Sequence, residues 1–262
     1  IRARPGLEFE EGMDSGRLRS AYEALLHGRA TRGNPIGVFG AAWDDSGLHN
    51  ETFWLGWSAA ARWGWNPGTP GVEQHTAEFM NLYYGPRVEG MVEIYRAMQR
   101  QARSWQRTWD RVRSRVRGPG YGNSYGKGRG TERFDLALDP PPLPAGPDLK
   151  FEPAFSKKYE PFLAVARARA LENDQLAHQL TGNLLRAARN QYNLEVLLAL
   201  TRFIGHHWSL LTGLAEAERS LSRASAIAKE NPRRAVGLMV SAYNSAGRLE
   251  RAGLEHFRAL EQ

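Results

Sequence analysis

The sequence of 262 residues contains no cysteine. It therefore forms no disulfide, no thiolate metal site and no cysteine nucleophile, while its compartment is left open. It also lacks a long uninterrupted apolar run, because the most apolar stretch, residues 194–214, is broken by Glu195, Arg202, His206 and His207. We therefore predict no membrane-spanning helix.

Several motifs for cofactors and nucleophiles are also missing. The chain has no His-Glu-x-x-His and no Gly-x-Ser-x-Gly motif. His206 and His207 are adjacent, so on a helix their rings point about 100° apart and cannot share a metal ion. The glycine-rich segment 118–130 has Tyr121 where a phosphate-binding loop needs its first glycine, and Gly128 where it needs Ser or Thr. We predict no metal and no cofactor.

What is present first is one clear strand signal. Residues 36–43 (IGVFGAAW) are apolar or small and follow the turn pair at 34–35, which is typical of a strand buried on both faces of a parallel sheet. Helices are predicted from Ser15 onward, over 52–64 and at about 72–83, with Gly85 ending the third and Pro86 able to begin the next. One helix–strand–helix unit fits the last unit of a (β/α)8 barrel, which needs eight. The predicted fold class is thus an α/β barrel remnant followed by a mostly α-helical C-terminal region, predominantly helical overall.

The end of this strand has the composition of a sugar site. Residues two apart on a strand point the same way, so Trp43 and Asp45 share one face and Asp44 takes the other. An indole covers the apolar face of a pyranose and a carboxylate accepts hydrogen bonds from its hydroxyl groups. In the alternative interpretation, Trp43 is a core residue and the aspartates cap the next helix.

The loop after the strand adds two candidates, His49 and Glu51, because it lies on the side of such folds where ligands bind. The alternative is that Asn50 or Thr52 caps the following helix and that His49 is only solvated. The tryptophans at 54, 57, 63 and 65 are predicted to be packing residues of a helix between two layers.

Three pieces of this region resemble the family 20 glycoside hydrolases, the β-N-acetylhexosaminidases: residues 40–45 (GAAWDD), Trp54 with the alanines 59–61, and residues 64–67 (GWNP). The likeness covers about residues 16–85. It implies that Trp43 lines the pocket around the N-acetyl group and that Asp45 binds sugar hydroxyl groups. Asp45 stands where the family has Glu, and Arg62 lies near a position that is acidic in many members.

The resemblance also implies substrate-assisted retaining hydrolysis, in which a Glu is the general acid and an Asp orients the acetamido group of the substrate. The sequence has no matching Asp-Glu motif, and it begins with Ile1 rather than Met. We therefore expect the C-terminal portion of a glycosidase, from a chain that starts mid-gene or is processed. Its expected partners are a carbohydrate substrate, the N-terminal portion or partner chain that completes the barrel, and a second copy in a homo-oligomer. The resemblance suggests a bacterial periplasmic or secreted protein.

A long basic helix follows this region. Met91, Tyr95, Met98, Ala102, Trp105, Trp109, Val112 and Val116 form a heptad-like seam. Residues 100–133 carry ten basic residues against Asp110 and Glu132, an excess of eight that accounts for the whole net charge of +7. The basic residues are Arg100, Arg103, Arg107, Arg111, Arg113, Arg115, Arg117, Lys127, Arg129 and Arg133. The alternative function is therefore a stand-alone helical interaction module that binds nucleic acid here, which we consider the less favoured of the two.

Composition divides the chain into four predicted segments. Residues 1–85 form the barrel part, 86–133 the basic helix and glycine-rich loop, 134–155 a proline-rich linker or strap, and 156–262 a helical bundle. Within the bundle the predicted helices are about 157–178, 180–211, 213–230 and 233–260, with Asn231 as N-cap and Pro232 at the first helical position. Further breaks are predicted near Gly182, Gly205 or Gly247.

Overall fold

A computed structural model describes residues 50–108, 141 and 150–261. A 3₁₀ turn over Asn50–Phe53 is followed by the helices α1 (Trp54–Trp65), α2 (Val72–Tyr84), α3 (Met91–Thr108), α4 (Phe155–Lys158), α5 (Glu160–Arg186), α6 (Gln191–Ile227) and α7 (Pro232–Glu261). The chain is predominantly helical, as predicted, and these described ranges contain no β-strand. The predicted strand at 36–43, and with it the barrel remnant, lies outside them.

The first two helices fall where the sequence predicts them. The N-cap position of α1 is Phe53, whose side chain makes no capping hydrogen bond, and Asn50 and Thr52 lie in the 3₁₀ turn before it. Gly85 ends α2 with a φ of 101°, a conformation that favours glycine, and its N–H bonds the carbonyl of Asn81. Pro86 does not begin the next helix, which starts only at Met91.

The heptad seam of α3 is confirmed for the part that the structure describes. Met91, Tyr95, Met98 and Ala102 are all buried, and Trp105 is half-buried. The rest of the predicted seam, at 109, 112 and 116, lies outside the described residues, as does most of the basic stretch 100–133.

The predicted breaks in the C-terminal region are wrong in two places. Residues 178–180 lie inside α5 and residues 211–213 inside α6, so three long helices and the short α4 replace the four predicted helices. The start of α7 is confirmed, since the side-chain oxygen of Asn231 accepts a hydrogen bond from the N–H of Arg234 at 3.0 Å and Pro232 is the first helical residue.

The glycines explain part of this error. Gly182, Gly205 and Gly247 all lie inside helices. A Cβ at Gly205 would lie 2.3 Å from the side-chain oxygen of Asn173. That amide is buried and donates to the carbonyl of Thr201 at 2.9 Å, so Gly205 allows α5 and α6 to approach closely rather than interrupting α6.

The described residues fall into two compact units. The first contains residues 50–108 together with 176–198, which form a helical hairpin from the end of α5 and the start of α6. The boundaries predicted from composition remain predictions. In the structure, the first unit draws on both sides of residue 85 and on part of the C-terminal region.

The hairpin completes the core of the first unit. Its leucines, at 176, 180, 194, 197 and 198, share one apolar cluster with residues of α1, α2 and α3. Two asparagines add polar links between the same parts. The amide of Asn183 exchanges hydrogen bonds with the backbone N–H and C=O of Glu89, at 2.8 and 2.9 Å, and that of Asn190 donates to the carbonyl of Tyr83 at 2.7 Å. Because both amides are satisfied, they fix the hairpin at little desolvation cost.

The second unit contains residues 141, 150–175 and 199–261. One face of α7 packs on α6 through Met239 and Ala242, which contact Ala217 and Leu221. The N-terminus of α4 is bound by Glu218 of α6, whose carboxylate oxygens accept the N–H groups of Phe155 and Ser156 at 2.7 and 2.8 Å.

Candidate functional site

Four of the five predicted sugar-binding residues, Trp43, Asp44, Asp45 and His49, lie outside the described residues, so their roles stay predictions. The fifth, Glu51, sits in the 3₁₀ turn at the start of α1 and is partly buried. Of the predicted site residues, Glu51 is therefore the one whose contacts the structure describes.

Glu51 is the centre of a hydrogen-bond network. Its side-chain Oε2 and its backbone carbonyl both accept from the amide of Asn193, at 2.9 and 2.7 Å. Its Oε1 accepts from the indole N–H of Trp54 at 3.2 Å. The phenol of Tyr83 also hydrogen-bonds this carboxylate. With both oxygens engaged, Glu51 anchors the entry of α1 to the start of α6.

A buried chain of polar groups continues from Asn193. Its side-chain oxygen accepts the hydroxyl of Tyr84 at 2.5 Å, and that hydroxyl is 2.6 Å from the hydroxyl of Tyr95. All three side chains are almost fully buried. Such a network is stable only because every member has a partner.

The tyrosines of this network stay neutral at physiological pH. Burial, followed by the nearby Glu51 charge, raises the pKa of Tyr83. Burial is also the main cause of the raised pKa values of Tyr84 and Tyr95. These phenols can donate and accept hydrogen bonds but supply no tyrosinate base, so the network positions residues rather than reacting.

Sequence reasoning missed Asn193, Tyr84 and Tyr95 as members of this network. The two tyrosines carry the apolar periodicity of their helices, which conceals their hydroxyl contacts. Asn193 and Glu51 are 142 positions apart, so no local spacing joins them. One sequence feature does point to Asn193: it directly precedes the mostly apolar segment 194–200, and a polar residue that is buried with such a segment needs a hydrogen-bond partner.

The tryptophans of α1 divide between two opposite faces. Trp63 is 1% exposed, and its face also carries the buried Leu55 and Ala59. Trp54, Trp57 and Trp65 are 45%, 36% and 92% exposed and, at positions i, i+3 and i+11, lie along the other side. We call these three the tryptophan stripe. The described core covers only the Trp63 face, so packing of the other three tryptophans against a second layer stays a prediction.

The second unit holds a group of histidines between α6 and α7. The rings of His206 and His256 have centroids 5.5 Å apart, and the neighbouring His207 is buried against Trp208. Burial and then the His206 charge lower the pKa of His207 to about 3. Burial first, then His256, lowers the pKa of His206. For His256 the causes are burial and then Arg202, with Glu255 opposing.

Because the pKa values of these three histidines are lowered, we expect the free energy of unfolding to fall as the pH is lowered. A histidine whose folded pKa is depressed is neutral when folded and protonated when unfolded, so stability is full above pH 6.5 and falls as the pH drops below it. By pH 5 we expect His207 alone to remove about 2 kcal/mol from the free energy of unfolding. Urea unfolding between pH 8 and 5 measures this.

His207→Gln should reduce that pH dependence, and the part that remains comes from His206 and His256, whose pKa values are also lowered. The same slope in the wild type and in His207→Gln would contradict the assignment.

Among the described residues no three His, Asp or Glu side chains are grouped to hold a metal ion. No described helix is long and apolar enough to cross a bilayer. In the comparisons with known proteins, no family model, no curated protein and no solved structure matches this chain.

Proposed function

We propose that this chain is the C-terminal portion of a glycoside hydrolase that acts on β-linked N-acetylhexosamine sugars. The residues around Trp43 and Asp45 supply one wall of the sugar pocket, and the catalytic Asp-Glu pair lies outside the chain. The tryptophan stripe is the structural observation that carries the proposal.

In the proposed barrel, the face of α1 that carries the tryptophan stripe covers the sheet. The core of the first unit covers the face that carries Trp63. The tryptophan stripe offers a second apolar face of three indoles, which is more than scattered surface residues normally provide. This two-faced helix directly follows the predicted strand at 36–43 and its loop, where the proposed barrel needs a covering helix.

The anchoring of Glu51 supports the same arrangement. Asp45 is six residues before Glu51, so the fixed position of Glu51 keeps Asp45 within about 20 Å of the first unit. In this proposal Glu51 limits the reach of the loop that carries the sugar-binding residues. The helical unit then acts as a support behind one wall of the pocket.

The proposed chemistry assigns simple tasks to this chain. The indole of Trp43 covers the apolar face of the sugar near its N-acetyl group, and the carboxylate of Asp45 accepts hydrogen bonds from sugar hydroxyl groups. The acetamido oxygen of the substrate attacks the anomeric carbon, and a general acid outside this chain protonates the leaving oxygen. Residues of this chain bind and orient the sugar.

Asp45→Ala tests the assignment in the full-length product that also contains the catalytic pair. Loss of a charge-assisted hydrogen bond should lower kcat/KM for a chromogenic N-acetyl-β-glucosaminide by about ten- to a hundredfold. Asp174→Ala, which removes an exposed aspartate of α5, is the matched control and should leave kcat/KM unchanged. If the full-length product hydrolyses no such glycoside, or if Asp45→Ala hydrolyses it at the wild-type rate, the proposal fails.

A further inference from the structure

The last helix, α7, carries an exposed apolar face about 100° around the helix axis from the face that packs on α6. One face is buried on α6: Met239 and Ala242 pack on its apolar residues, and Leu249 and Gly253 lie close to Gly213 and His206. Because a single amphipathic face is enough to hold a surface helix, the second face needs a separate explanation.

The second face forms a regular exposed stripe. Val236, Val240, Tyr243, Leu254 and Phe257 are 57%, 51%, 80%, 52% and 55% exposed. Their spacing alternates by four and three once Gly247 and Glu250, which fill the intervening heptad positions, are included. We call these seven residues the α7 stripe. A heptad repeat sustained over three heptads is the pattern of a coiled-coil seam, so the occupant that fits it best is another helix.

We propose that the α7 stripe binds the α7 stripe of a second copy of this chain, in an antiparallel pair with a two-fold axis between residues 248 and 249. In this register Val240 lies opposite Phe257 of the second copy, and Tyr243 lies opposite Leu254. The two-fold axis repeats both pairs, so eight large apolar side chains meet across the seam. A self-complementary surface of this kind closes a dimer through these pairs, and Val236 lies opposite position 261 at the two ends of the seam.

Charge selects the antiparallel pair over the parallel one. Glu250 is the charged member of the α7 stripe, and in a parallel pair it would face Glu250 of the second copy, which is repulsive. In the antiparallel register it lies opposite Gly247, which leaves space for its side chain. Arg251, which is exposed and flanks the stripe, then lies within about one helical turn of the Glu250 of the other copy. Each carboxylate therefore gains an arginine neighbour.

Native mass measures the association. Light scattering over a dilution series of the full chain should give a particle of twice the 29.4 kDa chain mass at high concentration. Leu254→Glu places a carboxylate in the seam and should raise the dimer dissociation constant by roughly a hundredfold. Leu171→Glu, on an exposed position of α5, is the matched control and should dimerise as the wild type does.

Disulfide trapping measures the register, since the natural chain has no cysteine. Protein with Val240→Cys mixed with protein with Phe257→Cys should form a crosslinked dimer faster than either variant does alone. Ser241→Cys mixed with Phe257→Cys is the off-seam control. The proposal is overturned by a monomer at every concentration, by equal dissociation constants for Leu254→Glu and Leu171→Glu, or by self-crosslinking of Val240→Cys as the dominant product. Because none of these readouts involves a sugar, their failure is separate from failure of the proposed glycosidase.

Discussion

Trp63→Ala is expected to lower the free energy of unfolding by about 3–5 kcal/mol, because it empties the largest fully buried site of the first unit. The indole is 1% exposed, packs with its ring centroid 5.2 Å from that of His75 in a tilted arrangement, and donates its N–H to the carbonyl of Pro70 at 2.9 Å. Truncation removes the packing and also leaves that carbonyl without its donor.

Chemical denaturation of the full chain, followed by circular dichroism, measures this loss. Trp65→Ala is the matched control: the same substitution two residues away removes a side chain that is 92% exposed, and should change the stability by less than about 0.5 kcal/mol. Equal effects of the two substitutions would show that α1 does not pack on the core through its Trp63 face.

Glu218→Ala is expected to cost about 2–4 kcal/mol, the second largest effect, because it removes one carboxylate that satisfies two backbone donors. The N–H groups of Phe155 and Ser156 at the start of α4 would lose their acceptor. Burial alone would raise the pKa of Glu218, but the hydrogen bonds from Ser156, Phe155 and Ala154 together lower it. This contribution is therefore present at neutral pH and is lost only as the pH falls through the depressed folded pKa.

Two further variants separate the causes of this effect. Glu216→Ala, on the same helix, removes an exposed carboxylate and should be nearly neutral. Glu218→Gln keeps one carbonyl acceptor and should fall between the wild type and Glu218→Ala. If Glu218→Ala is as stable as Glu216→Ala, the carboxylate does not bind the N-terminus of α4.

Local patterns predicted the helices wherever the deciding contacts were local. The seam from Met91 to Ala102 and the Asn231-Pro232 start are read from neighbours three or four positions apart. A glycine inside an apolar pattern predicts a break, as at Gly205. The structure instead has α5 packed against Gly205, a contact that the local sequence does not show. The bounds of α5 and α6 were wrong for the same reason.

The candidate site was less predictable than the helices. The sequence singled out Glu51 as a polar residue in a loop, but its partner Asn193 lies 142 positions away. The sequence shows that α1 has two apolar faces, but which of them the core covers depends on tertiary packing, and here it covers the Trp63 face and leaves Trp54, Trp57 and Trp65 exposed. The predicted residues at 43–45 and 49 lie outside the described part of the chain.

The hairpin at 176–198 determines when the first unit can fold during translation. It supplies five leucines and Ala187 to a core whose other residues are at 53–98, so about ninety residues must be added after α3 before that core can close. Translation proceeds at about 5–20 residues per second. The apolar faces of α1–α3 are therefore synthesised several seconds before the hairpin that packs on them. The first unit is thus a late-folding unit despite its early position. A chain cut within the proline-rich segment at 134–155 lacks the hairpin, so the core of the first unit stays exposed. We expect such fragments to aggregate.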